Sequence, residues 1–596
     1  MNILLTAINA KYIHSNLAVY SLRACAGEYR DAVELAEYTI NNQKDYILEA
    51  LYKRKPDVLC FSCYIWNIDY VTDIAREYKK LCPSVPIWVG GPEVSYEVEA
   101  FLRENPYIDG VMIGEGEDTF RELCGYYAHK RKLSDIAGIA FRKKSADGKA
   151  GEIVFTSPRP IKNMSEIPFC YDTLDDFSNR IIYYESSRGC PFSCSYCLSS
   201  VDKTLRFRDT EIVKRELKFF IDQKVPQIKF VDRTFNCNHA HAMELWRFIK
   251  ANDNGVTNFH FEISADLLNQ EELELISDMR PGLIQLEIGV QSTNEVTIKE
   301  IHRTMKLERL KEVVKLIQSG NNIHEHLDLI AGLPYEDYDS FGRSFDEIYE
   351  LKPNQLQLGF LKVLKGSYMF EHATEYGIVY HDKPPYEVMS TKWLSFDDVI
   401  KIKRVEDMLE VYYNSGQFEI TMKLMECIFD SAFEFFQELG DFYEAKGYFG
   451  MSHSRIRRCE ILLEFLALYL HGCDSDAMTS VGLSENHGDR DNTDFDENAQ
   501  IYSMIQESLI FDLYYRENCK SRPVWATDIG SFKHMTHAYC KNGKLSHVEP
   551  FHYIFPDKHT RKLDELPKYH KEPVWALFHY DMRDPLDHQA LVEYIE

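Results

Sequence analysis

The chain has 596 residues, of which 45% are hydrophobic, 13% aromatic and 27% charged, the mixture of a globular protein with several domains. Its 68 Lys and Arg against 94 Asp and Glu leave a formal charge of −26, which argues against broad binding to nucleic acid or to an anionic membrane surface. No apolar run approaches a membrane helix, no signal peptide is expected, and the fifteen cysteines therefore read as belonging to a cytoplasmic protein in which clustered thiols are ligands.

Over residues 1–140, apolar runs at Ile3–Ala7, Ala32–Ala36, Val58–Ser62, Ile87–Gly90 and Gly110–Ile113 alternate with helical patterns such as Tyr70–Lys80 and Asp118–Tyr127. That alternation predicts a parallel sheet covered on both faces, a flavodoxin-like doubly wound α/β domain. The polar stretch Lys143–Lys149 and the proline-bearing Pro158–Pro168 mark a linker over 141–175. A second βα series follows, with strands expected at Ile181–Glu185, Gln227–Val231, His260–Ile263, Leu283–Ile288, His326–Ile330 and Gln355–Leu361. Six units predict a partial (β/α)6 barrel over 176–375, with its chemistry at the carboxyl ends of the strands. From 390 to 596 the pattern is mostly helical α+β, with helices at Val399–Tyr412 and Arg458–Leu470 and strands at His552–Phe555 and Val574–Tyr580. Within it the acidic segment 474–498 reads as a mobile insertion.

Cys190-Pro-Phe-Ser-Cys194-Ser-Tyr-Cys197 places three thiols at spacing C-x3-C-x2-C directly after the first barrel strand. Thiolates are soft ligands for an iron–sulfur cluster or zinc. A closed zinc site takes four ligands, usually as CxxC pairs, and no second pair is near. Three cysteines on a [4Fe–4S] cluster leave one iron open to a small chelating molecule. Cys25, Cys60, Cys63, Cys82 and Cys124 do not form a second cluster set, and Cys427, Cys459, Cys473, Cys519 and Cys540 are scattered.

Polar groups punctuate the later strand ends, at Asp232 to Asn236, at Glu262 and Ser264, from Glu287 to Ser292, and from Asp328 to Pro334. Such groups either face a ligand or cap the next helix. Tyr183, Tyr184 and Phe235 read as packing residues, and His324 and His326 as pointing to opposite faces of a strand, hence not as a metal pair. In the first domain the loop Asn9–Asn16 contains no glycine, which argues against NAD or FAD. Ser62, Gly90-Gly91 and Gly114-Glu115 end its later strands.

With the aromatic Tyr196 before its last cysteine, the triplet resembles the signature of the radical S-adenosylmethionine (SAM) superfamily. The resemblance implies that the open iron chelates SAM, that one electron from the cluster cleaves SAM to a 5′-deoxyadenosyl radical, and that this radical takes a hydrogen atom from a substrate. The phrases Glu287-Ile-Gly-Val-Gln-Ser292 and Asp328-Leu-Ile-Ala-Gly-Leu-Pro334 resemble the radical SAM families that carry a cobalamin (B12) domain, over residues 1–370. This implies a SAM environment of Tyr196, Asp232, Glu262, Ser264, Glu287, Gly289, Gln291, Arg303 and Gly332. Glu262 or Glu287 would hold the ribose, Arg303 the carboxylate, and Gly289 and Gly332 would let backbone approach the adenine. It implies a cobalamin environment of His14, Ser62, Gly90, Gly91, Gly114 and Glu115. The motif D-x-H-x-x-G is absent, so His14 either ligates cobalt or caps the following helix.

Beyond residue 390 the chain is similar to an accessory domain of unassigned role, read as a cap that keeps water from the barrel mouth. The implied function is cobalamin-dependent methyl transfer to an unactivated carbon of a small molecule, with radical ring closure, as in the anaerobic porphyrin-cyclase relatives, as the alternative. An external electron donor such as flavodoxin or ferredoxin is implied. Sulfur insertion and a purely sensory role are disfavoured by the cysteine pattern and the strand-end set.

Overall fold

Strands apolar at every position belong in the middle of a sheet buried on both faces. β1 (Ile3–Asn9) and β3 (Val58–Ser62) are buried throughout. They lie in a seven-stranded sheet of order β2-β1-β3-β4-β5-β6-β7. β2 (Val33–Thr39), β4 (Ile87–Gly90) and β5 (Gly110–Met112) run parallel to them. α1 (Leu17–Cys25), α2 (Lys44–Arg54), α3 (Ile68–Leu81), α4 (Val98–Glu104) and α5 (Glu117–Tyr127) form the connections. α3 shows the logic: Ile68, Val71, Ile74, Ala75 and Tyr78 recur at helical spacing and are its buried stripe. β6 (Ile139–Arg142) and β7 (Ile153–Phe155) extend the sheet antiparallel, beyond the expected end of the domain at residue 140. Both are too short to stand out from the polar sequence between them.

The computed structural model describes residues 1–143, 151–471, 492–540, 545–556, 560, 563 and 565–595. The chain divides into two compact units. The first comprises Met1–Ile323, Gly332–Glu336 and Phe360–Trp393, the second His324–Ala331, Asp337–Gly359 and Leu394–Glu596.

In the first unit, β8 (Ile182–Tyr184), β11 (Gln227–Phe230), β12 (Asn258–Ile263) and β13 (Ile284–Gln291) are parallel neighbours in that order. The antiparallel pair β9 (Ser187–Arg188) and β10 (Arg206–Phe207) stands between β8 and β11 in the chain. α6 (Thr210–Asp222), α7 (His239–Ala251), α8 (Gln270–Ser277), α9 (Glu295–Glu300) and α10 (Leu307–Ser319) alternate with the strands. β13 explains the polarity of the expected strand ends. Ile284, Leu286, Ile288 and Val290 are buried on one face, and Gln285, Glu287, Gly289 and Gln291 line the other. The register puts Tyr183, Lys229, His260 and Gln285 in one row across the sheet, with Glu262 opposite Glu287 further along. α12 (Tyr368–Glu371), β16 (Val379–Tyr380) and β17 (Val388–Ser390) complete this unit.

The second unit contains β14 (His324–Ala331), α11 (Tyr338–Tyr349) and β15 (Gln355–Phe360), with β14 beside β15. Its helices are α13 (Phe396–Leu409), α14 (Glu419–Ile428), α15 (Ala432–Lys446), α16 (Arg455–His471), α17 (Asn492–Arg516) and α18 (Lys533–Tyr539). β18 (Ser546–Phe551), β19 (Val574–Arg583) and β20 (Ala590–Ile595) form an antiparallel sheet. The strand expected at His552–Phe555 lies just beyond β18. The His552 N–H turns to the Glu507 carboxylate (2.7 Å) and the Phe555 N–H to the Tyr594 hydroxyl (2.8 Å), so neither continues the ladder. The insertion expected at 474–498 lies outside the described residues as far as 491, and from Asn492 the chain is α17. His324 and His326 sit two apart in β14 and therefore share a face, correcting the expectation that they oppose one another. Among the described residues no helix is long and apolar enough to cross a membrane.

Candidate functional site

The β9–β10 pair closes the cysteine loop. Gly189, at φ +88°, permits the closure, because a Cβ there would lie 2.6 Å from the Thr204 carbonyl oxygen. All three thiols are free; Cys190 and Cys194 are buried and Cys197 is half-buried. The Ser195 N–H donates to the Ile301 carbonyl (2.9 Å), and the Ser195 carbonyl accepts from the Met369 N–H (2.9 Å). The loop is thus clamped from both sides through backbone, independently of its sulfurs. Thr234 Oγ1 lies 3.9 Å from Cys190 Sγ. Arg303 Nη1 lies 3.3 Å from Tyr196 Oη and 3.9 Å from Cys194 Sγ, and its Nη2 donates to the Gly289 carbonyl. A Cβ on Gly289 would collide with Gln291 Nε2 at 2.3 Å, so this glycine makes room for protein side chains. Gln291 itself takes a left-handed backbone, φ +77°, at the end of β13. Cys237, outside the expected set, has its thiol pushed up to about 11 by burial first and then by the charges of Cys190 and Asp232.

Asp232 has a different job from the one its position suggests. Its carboxylate accepts from the Ser186 N–H (2.9 Å), Ser186 Oγ (2.6 Å) and Ser187 Oγ (2.6 Å), and is only 1% exposed. It therefore holds the chain entering the cysteine loop. His241 Nε2 extends the network, 3.0 Å from Ser186 Oγ. Burial lowers the His241 pKa to about 4. A base with a depressed folded pKa gives stability that is present above its unfolded value of 6.5 and is lost as pH falls from there towards 4. Moving from pH 7.5 to pH 5 is expected to cost about 2 kcal/mol through this group, a loss that H241Q should lack when urea midpoints are compared at the two pH values.

Glu287 and Glu262 part company in the interior row. Lys229 Nζ lies 2.8 Å and His260 Nε2 3.0 Å from the Glu287 carboxylate. Burial raises the Glu287 pKa, but those two partners outweigh it and hold the group at about 2. Glu262 has no hydrogen-bond partner among the described residues; burial raises its pKa, with Arg233 opposing. Of the two carboxylates expected at the ribose, only Glu262 is uncommitted. Ser264 donates its hydroxyl to the Asp266 carboxylate (2.7 Å). Gly332, at φ +88°, is needed for packing, because a Cβ would lie 2.6 Å from Val388.

The loop after β1 is joined to the start of β8. The Ile181 N–H donates to the Ile13 carbonyl (2.8 Å), and Ser15 Oγ to the Ile181 carbonyl (2.9 Å). His14 Nδ1 lies 2.6 Å from the Tyr183 hydroxyl, so Tyr183 is a polar partner as well as a packing residue. Burial, then Lys11 and Lys229, push the imidazole pKa down, which keeps it neutral. The helix cap is Asn16, whose side chain accepts from Val19 N and donates to Ser62 Oγ (3.1 Å). Capping by His14 is therefore excluded.

The loops after β3 and β4 close on each other through the Cys63 N–H and the Gly90 carbonyl (2.7 Å). Gly91 sits at φ +127°, and a Cβ there would lie 2.3 Å from the Cys63 carbonyl oxygen. G91A is expected to cost about 2–3 kcal/mol in thermal or urea unfolding of the ligand-free chain. An unchanged midpoint would return Gly91 to a purely ligand-facing role. Glu115 pairs with Arg206 (2.7 Å) and Arg188 (3.5 Å), and Arg188 also binds Glu117 and Glu185. Glu115 therefore ties the loop after β5 to the cysteine hairpin. Gly114 remains open, since a Cβ there meets nothing within 4 Å. Tyr64 and Trp66 stack at 4.5 Å nearby in the sheet order, at the carboxyl end of β3.

Comparison with known proteins fits this architecture. Residues 3–124 match the family model of the B12 binding domain, 184–348 that of the radical SAM superfamily, and 374–589 one described as a protein of unknown function (DUF4080). The chain is 28% identical over 351 residues to the cobalamin-dependent radical SAM methyltransferase TokK of Streptomyces tokunonensis, covering 55% of this chain and 49% of TokK. It is 23% identical to an anaerobic magnesium-protoporphyrin IX monomethyl ester cyclase of Rubrivivax gelatinosus, over 55% of this chain and 60% of that one. The chain spans about half the length of the curated relatives it matches first. The radical SAM methyltransferase TsrM from Kitasatospora setae shares the fold at a TM-score of 0.51, with 17% identity over 65% of this chain and 82% of TsrM.

The chain is thus built from a B12 binding domain, a radical SAM domain and a DUF4080 domain. A radical SAM domain implies a [4Fe–4S] cluster and SAM, and a B12 binding domain implies cobalamin. The residues present fit these groups. Three free soft ligands share one clamped loop, one carboxylate of the interior row is uncommitted, and the carboxyl edge of the first sheet carries an open glycine.

Proposed function

We propose that the chain is a cobalamin-dependent radical SAM enzyme that methylates an unactivated carbon of a small molecule. The observation that carries this reading is the joining, inside one compact unit, of the cysteine hairpin to the B12 binding domain by Arg188 and Arg206 on Glu115 and Glu117. When bound, the cluster and SAM supply a 5′-deoxyadenosyl radical and cobalamin carries a methyl group. Cys190, Cys194 and Cys197 hold the cluster, with Tyr196 packed among them. Glu262 binds the ribose hydroxyls, and Gln291 and Gly289 shape the wall beside SAM. Gly114 leaves room for cobalamin and His14 faces it with a neutral imidazole. The B12 binding domain that goes with these roles runs on through β7 to Phe155, and the radical SAM and C-terminal domains take 176–375 and 390–596.

The kinship with TokK supports methyl transfer, and that with the magnesium-protoporphyrin cyclase keeps radical ring closure as a second reading. Product mass separates them, because methylation adds a carbon and cyclisation does not. A flavodoxin or ferredoxin of the cytoplasm would deliver the electron. The test is anaerobic reconstitution of the chain with iron, sulfide and hydroxocobalamin, followed by gel filtration and then SAM with a reductant. Near-stoichiometric cobalamin and release of 5′-deoxyadenosine are expected. A folded, cluster-loaded chain that retains no cobalamin would end the methyl-transfer reading.

A further inference from the structure

We propose that Arg303 sets the reduction potential of the cluster held by Cys190, Cys194 and Cys197, an inference that rests on the radical SAM reading above. The guanidinium is not a loose group awaiting a ligand. Nη2 donates to the Gly289 carbonyl, and Nη1 lies between the Tyr196 hydroxyl at 3.3 Å and Cys194 Sγ at 3.9 Å. Its place is built into the backbone. The Arg303 N–H donates to the Ile298 carbonyl (3.1 Å), His302 turns through φ +55°, and the Ile301 carbonyl takes the Ser195 N–H (2.9 Å). The same turn therefore carries the arginine and clamps the cysteine loop, so the charge and the sulfur keep a fixed separation.

Reduction adds one negative charge to the cluster and its thiolates. A permanent cation with an N–H directed at one ligating sulfur stabilises that extra charge more than the oxidised state. Hydrogen bonds to sulfur, net charge and solvent exposure are the levers that set such potentials. Cys194 is buried and Arg303 half-buried, which limits how far solvent and salt can screen the effect. Arginine is the suitable residue because it stays charged and its planar fork can serve Gly289, Tyr196 and Cys194 together. Among the described residues the buried Nε–H has no hydrogen-bond partner. Arg303 is thus a positioning residue that acts through the Cys194 sulfur.

The experiment is a redox titration of the full chain, reconstituted anaerobically without SAM and followed by the electron paramagnetic resonance signal of the reduced cluster. Wild type is compared with R303M, R303Q and R303K, each matched for iron and sulfide. R303M, which removes charge and donors at similar length, is expected to make reduction at least tenfold less favourable, a shift of about −59 mV for a one-electron couple. R303Q should shift the same way by less, and R303K should recover at least half of the R303M shift by restoring the charge. R303M or R303Q carrying a full cluster at the wild-type potential would overturn the proposal. So would folded R303M and R303Q that both fail to hold a cluster, since Arg303 would then serve assembly. A wild-type chain that takes up no cluster would instead sink the radical SAM reading, which keeps the two failures distinct.

Discussion

Cys194→Ser in the full chain is expected to abolish both bound iron and SAM cleavage while leaving the fold intact. Of the three thiols, Cys190 and Cys194 are buried and Cys197 is half-buried. A serine hydroxyl is a hard, protonated oxygen at neutral pH and a poor replacement for a thiolate on iron. With two soft ligands left, iron should fall from about four per chain to below about one after gel filtration. Release of 5′-deoxyadenosine should fall at least about a thousandfold, since no other group on this loop can pass an electron to SAM. The loop should survive, because its clamps run through the Ser195 backbone to Ile301 and Met369 and not through sulfur. Stability of the metal-free chain should change by less than about 1 kcal/mol. Iron retained at the wild-type level would mean a different ligand set, and Cys237, whose thiol feels the Cys190 charge, would be the next residue to change.

The second large effect concerns Asp232, and here the two obvious substitutions should differ. Asp232→Ala leaves the Ser186 N–H and the Ser186 and Ser187 hydroxyls buried without their acceptor. Asp232→Asn keeps an acceptor for the N–H and offers an amide to the hydroxyls. Burial raises the Asp232 pKa to about 6 against the pull of its three donors. An acid with a raised folded pKa costs stability once pH exceeds its unfolded value near 4, and the full penalty is present above pH 6. At pH 7.5 D232N should therefore melt at or above the wild type, and D232A about 3 kcal/mol below D232N. Equilibrium dialysis of SAM against the cluster-loaded chain separates scaffold from ligand. D232N should keep wild-type affinity within about twofold, a difference of less than 0.5 kcal/mol on the usual scale of about 1.4 kcal/mol per tenfold. Loss of SAM binding in a stable D232N would restore Asp232 to the cofactor site.

The sequence by itself determined everything that is local. Fully apolar runs such as Ile3–Ala7 and Val58–Ser62 announce a sheet buried on both faces, because alternation would have left one face to water. The cysteine triplet announces its chemistry because its ligands lie within eight residues of one another. The period of two along Glu287, Gly289 and Gln291 marks the inward face of β13.

What only the tertiary structure decided is which inward-facing groups remain available. Asp232 meets Ser186 across 46 residues, Glu287 meets Lys229 across 58, and His14 meets Tyr183 across 169. Glu115 reaches the hairpin arginines and Gly332 makes room for Val388 in the same way. Periodicity fixes the face on which a side chain stands, but the partner that neutralises a charge or fills the space above a glycine comes from a distant strand. A buried polar group must find such a partner or remain costly. Distant partners therefore hold Asp232, Glu287 and Glu115 in place, whereas Glu262 has no hydrogen-bond partner among the described residues.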